Sequence, residues 1–192
     1  MRIIVPFTEI HPLTERCLAE FAPQAERVNV GADAEAYWRL LRDLWSDGET
    51  FLIIEHDMEF TQAALDEALT CDCLWGLSPY PYFLSWRYES DGPHLNITPV
   101  GNALGFTRFR SDLMSACPTL LDDMPADSWV NGRQFRNGRH FYSLFGHLQH
   151  YLRLAQYLPH FHTPVVHHHI WDFPVLGATE RICTCYGGDH LV

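Results

Sequence analysis

The chain opens on an unbroken apolar run, Ile3-Ile4-Val5, closed by Pro6. A run of that kind predicts a short buried strand over residues 2–6. His11-Pro12 then opens a helix with Leu13, Cys17, Leu18 and Phe21 on one face. Residues 25–30 give a second strand, ended by Gly31, and Asp33 is placed to cap the next helix. In that helix Tyr37, Leu40, Leu41, Leu44 and Trp45 recur at i, i+3, i+4, i+7 and i+8, an amphipathic pattern closed by Asp47-Gly48. Phe51-Leu52-Ile53-Ile54 is apolar at every position, as a strand covered on both faces requires. Thr61 caps a third helix running to about Cys71, and residues 73–77 read as a fourth strand.

Strand and helix therefore alternate through the first half. That order predicts an α/β fold with a mostly parallel central sheet and helices on both faces. The second half is less regular. Residues 78–105, rich in Pro, Gly, Tyr and Trp, read as a long loop or irregular hairpin. Residues 104–109 look like a strand, Ser111 caps a short helix, and 118–138 read mostly as loop. Residues 141–158 are helical up to Pro159, and 165–170 are strand-like. There is no internal repeat, low-complexity tract or linker.

Composition narrows the class. At 192 residues the chain suits one domain with a substantial core. Hydrophobic residues make up 47% and charged residues 19%, which excludes a disordered polymer. The net charge of −11 argues against a general nucleic-acid binder or a polybasic membrane-surface protein. No apolar run is long enough to span a membrane, and the apolar start is too short for a signal peptide. Six cysteines in a chain of this size are expected as reduced thiols, so the cytoplasm is the expected compartment (a host's cytoplasm if the gene is a phage's).

The segment richest in chemistry is the buried run 51–54 flowing directly into Glu55-His56-Asp57. Ligands of open parallel sheets collect at the carboxyl ends of strands. Two carboxylates one residue apart at that edge suit Mg²⁺ or Mn²⁺, which fill their remaining positions with phosphate oxygens. Glu55 and Asp57 simply starting a solvated loop is the alternative, and it leaves a charge at a sheet edge to be explained. The second cluster is His160, His162, His167, His168 and His169; seven of the twelve histidines fall between His147 and His169. Imidazole is a good ligand for Mn²⁺ or Zn²⁺. If 165–170 is a strand, His167 and His169 share one face and His168 takes the other.

Taken together, residues 3–8, the Glu55-His56-Asp57 strand end, the aromatic stretch from Trp75 to Tyr82, Leu104-Gly105-Phe106 with Arg108-Phe109, and Val166-His167 resemble small glycosyltransferases of the GT-A type, compact phage and bacterial members included. The resemblance spans nearly the whole chain through order and spacing rather than one motif. It implies a nucleotide-diphospho-sugar transferase fold on a single unit, 1–192, with 1–77 as the nucleotide-binding half. Residues 78–192 would be a reduced half that completes the metal and acceptor sites. It also implies that Asp57 binds the metal bridging the donor diphosphate, and that Glu55 meets the ribose or sugar or reaches the metal through water. His167 or His169 would complete the metal shell, and Pro6, Phe7 and Thr8 would hold the base or ribose. Glu rather than Asp at the first position departs from the usual triplet, and the short chain trims the acceptor region.

On this reading the cofactor is Mn²⁺ or Mg²⁺ and the donor a nucleoside-diphosphate sugar, UDP-linked by default and GDP-linked otherwise. The acceptor is a saccharide, a protein or a nucleic-acid base. A divalent cation stabilises the leaving diphosphate as a Lewis acid, which explains how an acidic chain without lysine takes an anionic donor. Arg108 or Arg87 is placed to add a bidentate phosphate contact. Asp127 is the candidate general base and Trp129 a stacking platform for a sugar. Gly101 to Gly105 would let the backbone approach the donor, and the aromatic rings between Trp75 and Trp86 would line the acceptor cleft.

Three rival readings fit the same residues. A zinc site would use Cys71-x-Cys73 with Cys183-x-Cys185, although the single intervening residue is short for such pairs. A metal-dependent hydrolase would use His160, His162, His167, His169, Asp57 and Asp172. A non-catalytic metal- or nucleotide-binding module would keep the fold without turnover.

Overall fold

The computed structural model describes residues 1–89, 92–101, 104–124, 127–130, 133–136, 138–164, 166–169, 182–185 and 188–191. The first half runs β1 (Arg2–Phe7), α1 (Pro12–Phe21), β2 (Glu26–Asn29), α2 (Ala36–Asp47), β3 (Phe51–Ile54), β4 (Met58–Glu59), α3 (Gln62–Thr70) and β5 (Trp75–Leu77). There follow β6 (Tyr80–Glu89), β7 (Gly92–Gly101), β8 (Phe106–Phe109), α4 (Ser111–Ala116), β9 (Asp127–Val130) and β10 (Arg133–Arg136). The last elements are α5 (Phe141–Leu154), β11 (His160–Phe161), β12 (His167–His168), β13 (Ile182–Cys185) and β14 (Gly188–Leu191).

Six strands form the central sheet in the order β2-β1-β3-β8-β5-β11. Pairing is parallel for β1 with β2, β1 with β3, and β5 with β11. Only β8 runs against its neighbours β3 and β5, so the sheet is mostly parallel. Phe51, Leu52, Ile53 and Ile54 are each 0% exposed, which is what an apolar run without alternation predicts for a doubly covered strand. The period of two divides them. Leu52 and Ile54, with Ile3 and Val5, pack with α1 and α3 through Leu18, Ala64 and Leu65. Phe51, Ile53 and Ile4 pack on the other face with α2, α4 and α5 through Leu41, Leu113 and Leu148. Two indoles also anchor α2. Trp38 Nε1 donates to the Leu121 carbonyl at 3.0 Å, and Trp45 Nε1 to that of Cys117 at 2.8 Å.

Local chemistry sets the helix ends. The His11 side chain accepts from the Leu13 N–H, with Pro12 at the first helical turn, and Thr61 accepts from the Ala64 N–H. Gly48 closes α2 in the left-handed conformation at φ 68°. Asp33 does not cap α2. Its carboxylate accepts from the Glu35 N–H at 2.9 Å, making a turn that leaves Glu35 at the cap position. Helix α5 stops at Leu154, short of the expected Leu158. Gln156 turns left-handed at φ 64°, and the Tyr157 N–H reaches back to the Leu152 carbonyl at 2.8 Å, a Schellman closure. The segment expected as loop over 118–138 carries the β9–β10 hairpin. Residues 78–105 hold the β6–β7 hairpin with two register irregularities. In 165–170 two residues pair, antiparallel to β4, with His167 opposite Glu59 and His168 opposite Met58.

Candidate functional site

The chain passes from β1 outward to β2, then crosses back to β3 on the other flank of β1. That reversal puts a topological switch point at the carboxyl ends of β1 and β3, the place where open α/β sheets bind ligands. Phe7 and Thr8 stand at the end of β1, and Glu55-His56-Asp57 at that of β3. The His11 N–H donates to the His56 carbonyl at 2.8 Å and ties the two loops together.

Glu55 ends β3 beside Gly105, whose carbonyl accepts the Glu55 N–H at 2.8 Å. Its carboxylate accepts from the Tyr37 hydroxyl at 2.9 Å. Burial pushes the Glu55 carboxyl up to about 6; the nearby Asp57 charge adds to the rise and the Tyr37 hydrogen bond opposes it. The Tyr37 hydroxyl is itself held well above its ordinary value by burial and by Glu55. The Met58 N–H returns to the Glu55 carbonyl at 3.2 Å, so residues 55–58 make a turn with Asp57 on it.

Asp57 meets an imidazole from the C-terminal part of the chain, that of His168. His168 Nε2 lies 3.1 Å from Asp57 Oδ2, and the other carboxylate oxygen is buried with no partner among the described residues. Burial raises the Asp57 carboxyl, but the charge and hydrogen bond of His168 outweigh it and hold the group below its ordinary value. The converse holds for His168, where burial lowers and Asp57 more than restores. The Tyr80 ring stands 5.2 Å from that of His168, and the Tyr80 hydroxyl accepts the Gly105 N–H at 3.3 Å. A Cβ on Gly105 would sit 2.8 Å from both Met58 Sδ and Tyr80 Oη, so the close packing under the turn needs glycine there.

His169 turns elsewhere. Its N–H donates to the Asp57 carbonyl at 2.8 Å, while its ring stacks on His11 at 4.2 Å and its Nε2 lies 3.1 Å from Glu59 Oε2. Burial, with His169 alongside, lowers the His11 ring to about 4, so it is neutral near pH 7. Loops after β1 and β3 and the segment at 166–169 are thus joined into one wall.

The sequence-derived candidates distribute unevenly over this geometry. Glu55, Asp57 and Gly105 come together, and Phe7 and Thr8 stand at the same sheet end, Pro6 being buried in β1. The imidazole on Asp57 is that of His168, and the His169 ring goes to Glu59 and His11. Alternation along the strand separates His168 from His169 as expected, but the face turned to Asp57 is His168's. Arg108 lies away from this sheet end. It is 7% exposed on β8, and its guanidinium donates to the carbonyls of Cys71 and Cys73. It also lines a depression with Met1, Thr50 and Ser111 at the opposite end of the sheet. Of Arg87, Asp127 and Trp129 only the strand positions are described, and likewise of Cys183 and Cys185. Gly101 is described as the last residue of β7, whereas Asn102, Ala103 and Asp172 lie outside the described residues. Tyr37 carries no sequence signal of this contact, since its spacing marks it only as one apolar position of α2. The resemblance points to His167 or His169, and nothing in the residue order picks out His168.

A hard cation fits Asp57 Oδ1. One carboxylate oxygen is fixed by His168 and the other is buried and unsatisfied, as suits a metal that takes most of its shell from phosphate and water. Among the described residues, Glu55, Asp57 and the late histidines do not form a ready three-ligand set.

No family model matches the chain, and no curated protein does either. Solved structures do. A protein from STIV is similar at 13% identity, with a TM-score of 0.45 over 88% of this chain and 86% of that one. A glycosyltransferase involved in glycosylation of the major capsid of PBCV-1 is similar at 10% identity and a TM-score of 0.44, over 85% and 82%. A putative glucose-1-phosphate thymidylyltransferase from Bacillus anthracis is similar at 11% identity and a TM-score of 0.43, over 86% and 69%. Among the described residues no helix is long and apolar enough to cross a membrane.

Proposed function

We propose that the chain is a divalent-cation-dependent glycosyltransferase that takes a nucleotide-sugar donor in the crevice between the ends of β1 and β3. The observation that carries the reading is the buried, unpartnered Asp57 Oδ1 at that switch point, next to Glu55. Mn²⁺ or Mg²⁺ bound there supplies Lewis-acid stabilisation of the departing diphosphate. His168 holds the Asp57 carboxylate ionised and oriented through Oδ2, leaving Oδ1 for the cation. Glu55, its carboxyl raised to about 6, is mostly ionised at pH 7 and would meet the ribose or reach the cation through water. Phe7 and Thr8 form the nucleoside side of the crevice, and Asp127 is the candidate base for a reaction that inverts the anomeric centre.

Calorimetry with Mn²⁺ and UDP or GDP tests the proposal. At least one diphosphate is expected to bind only when metal is present, and Asp57→Ala to abolish that binding. Equal binding by the variant overturns the assignment.

A further inference from the structure

A second cluster of ligating side chains lies outside the crevice. Cys71 follows α3, Cys73 precedes β5, and His162 follows β11, the edge strand paired with β5. One ligand atom from each falls within 4.8 Å of the others. The two sulfurs are 2.9 Å apart, and the Cys73 N–H points to Cys71 Sγ at 3.4 Å.

We infer that Cys71 Sγ, Cys73 Sγ and His162 Nε2 bind a thiophilic divalent ion of the zinc class and clasp the edge strand to the sheet. Four observations support it. First, His162 is 2% exposed, yet its Nε2 has no partner among the described residues. A buried nitrogen in that state calls for a ligand. Second, its other ring nitrogen lies 3.5 Å from Ser78 Oγ, the outer contact that orients a metal-binding imidazole. Third, space is kept for the ligands by glycine. A Cβ on Gly76 would stand 2.6 Å from His162 Nε2 and 2.8 Å from Cys73 Sγ. Fourth, the Arg108 guanidinium donates to the carbonyls of both cysteines and fixes the backbone that carries the two sulfurs.

Donor chemistry selects the ion. Two thiolates and an imidazole suit Zn²⁺ and not Mg²⁺ or Ca²⁺. Binding requires the sulfurs to part from 2.9 Å to about 3.8 Å, the edge of a tetrahedron with Zn–S about 2.3 Å. Rotation of the cysteine side chains supplies that movement, because the carbonyls of Cys71, Asp72 and Cys73 are held by Arg108 and Arg110. No fourth ligand joins the cluster among the described residues. A clasp has a purpose here. β11 contributes two residues, both exposed, so packing alone holds it weakly.

The test uses full-length protein purified in reducing buffer without chelator, with metal measured by mass spectrometry. About one zinc per chain is expected in the wild type and in Asp57→Ala, and little in Cys73→Ser and His162→Ala. Co²⁺ exchanged into the wild type is expected to give thiolate-to-cobalt charge-transfer absorption, which decides the matter even if the variants fail to fold. Absence of both zinc binding and that absorption overturns the inference. So does full zinc occupancy in Cys73→Ser and His162→Ala, loss of zinc in Asp57→Ala, or a Cys71–Cys73 disulfide in place of metal.

Discussion

Asp57 Oδ2 and His168 Nε2 lie 3.1 Å apart, with side chains 15% and 14% exposed, and they join the end of β3 to a segment more than a hundred residues later. The pair is two-sided: each group shifts in the direction that keeps both charged. His168, raised above its ordinary 6.5, adds stability in full below that pH and loses it as pH rises through its folded value. Asp57, lowered below its ordinary 3.8, adds stability above that pH and loses it as pH falls through its folded value. Their window of joint action is therefore between about pH 4 and about 6.5. In metal-free protein, urea unfolding is expected to show the largest gap between wild type and Asp57→Asn in that window, about 1–3 kcal/mol, narrowing above it. By NMR, His168 is expected to titrate above 6.5 in the wild type and to fall below it in the variant. An unchanged His168 titration refutes the pairing.

Glu55 gives a second pH signature. Its carboxyl sits at about 6, lifted by burial and by Asp57 and restrained by the Tyr37 hydroxyl. Ionised Glu55 strengthens the negative site, so Mn²⁺ affinity in the presence of UDP should fall as pH drops through about 6. Tyr37→Phe removes the restraint and is expected to move that midpoint upward by about one unit, the worth of one hydrogen bond to a charged group. Calorimetric titration across pH of about 5 to 8 reads the shift, and a midpoint that stays in place removes Tyr37 from the site.

The fold was legible where an apolar period was written in the residues, and less so at the caps, since neither Asp33 nor Ser111 caps its helix: Glu35 and Arg110 take those positions. Phe51–Ile54, the face of α2 and the Thr61 cap all reappear. What was not legible depended on contacts between distant segments. The left-handed turn at Gln156 ends α5 without a glycine to announce it, and it sets Tyr157 where its carbonyl accepts Trp75 Nε1 at 3.2 Å. The carboxylates and the late histidines were recognisable as chemistry, since charge beside an apolar strand is costly. The register of β12 on β4 decides that His168 meets Asp57, and two-residue pairings carry too little pattern to be read. Arg108 shows the same limit. A basic residue in an apolar strand reads as a ligand contact until its partners are known to be the carbonyls of its own fold.

Gly105→Ala tests the packing beneath the turn. Its new methyl would meet Met58 Sδ and Tyr80 Oη at 2.8 Å, and Met58 adjoins Asp57 in the chain. Overpacking of this kind costs about 1–3 kcal/mol, which for a chain of this length lowers Tm by several degrees, about 2–4 °C for each kcal/mol. Scanning calorimetry checks it, and a Tm equal to that of the wild type means the turn yields more readily than the buried contacts imply.

Arg108 separates fold from donor binding. Its Nη1 donates to the Cys71 and Cys73 carbonyls, at the end of the sheet away from Asp57. Arg108→Met keeps the stem but leaves two carbonyls without their donor, a loss of about 1–3 kcal/mol. The variant is therefore expected to unfold at lower urea concentration while binding Mn²⁺ and UDP within about twofold of the wild type, a difference under 0.5 kcal/mol by RT ln 2, roughly. Tm and calorimetric affinity measured on the same preparation distinguish the outcomes. Collapse of nucleotide affinity with stability intact would return Arg108 to the diphosphate and move the donor site away from the β1–β3 crevice.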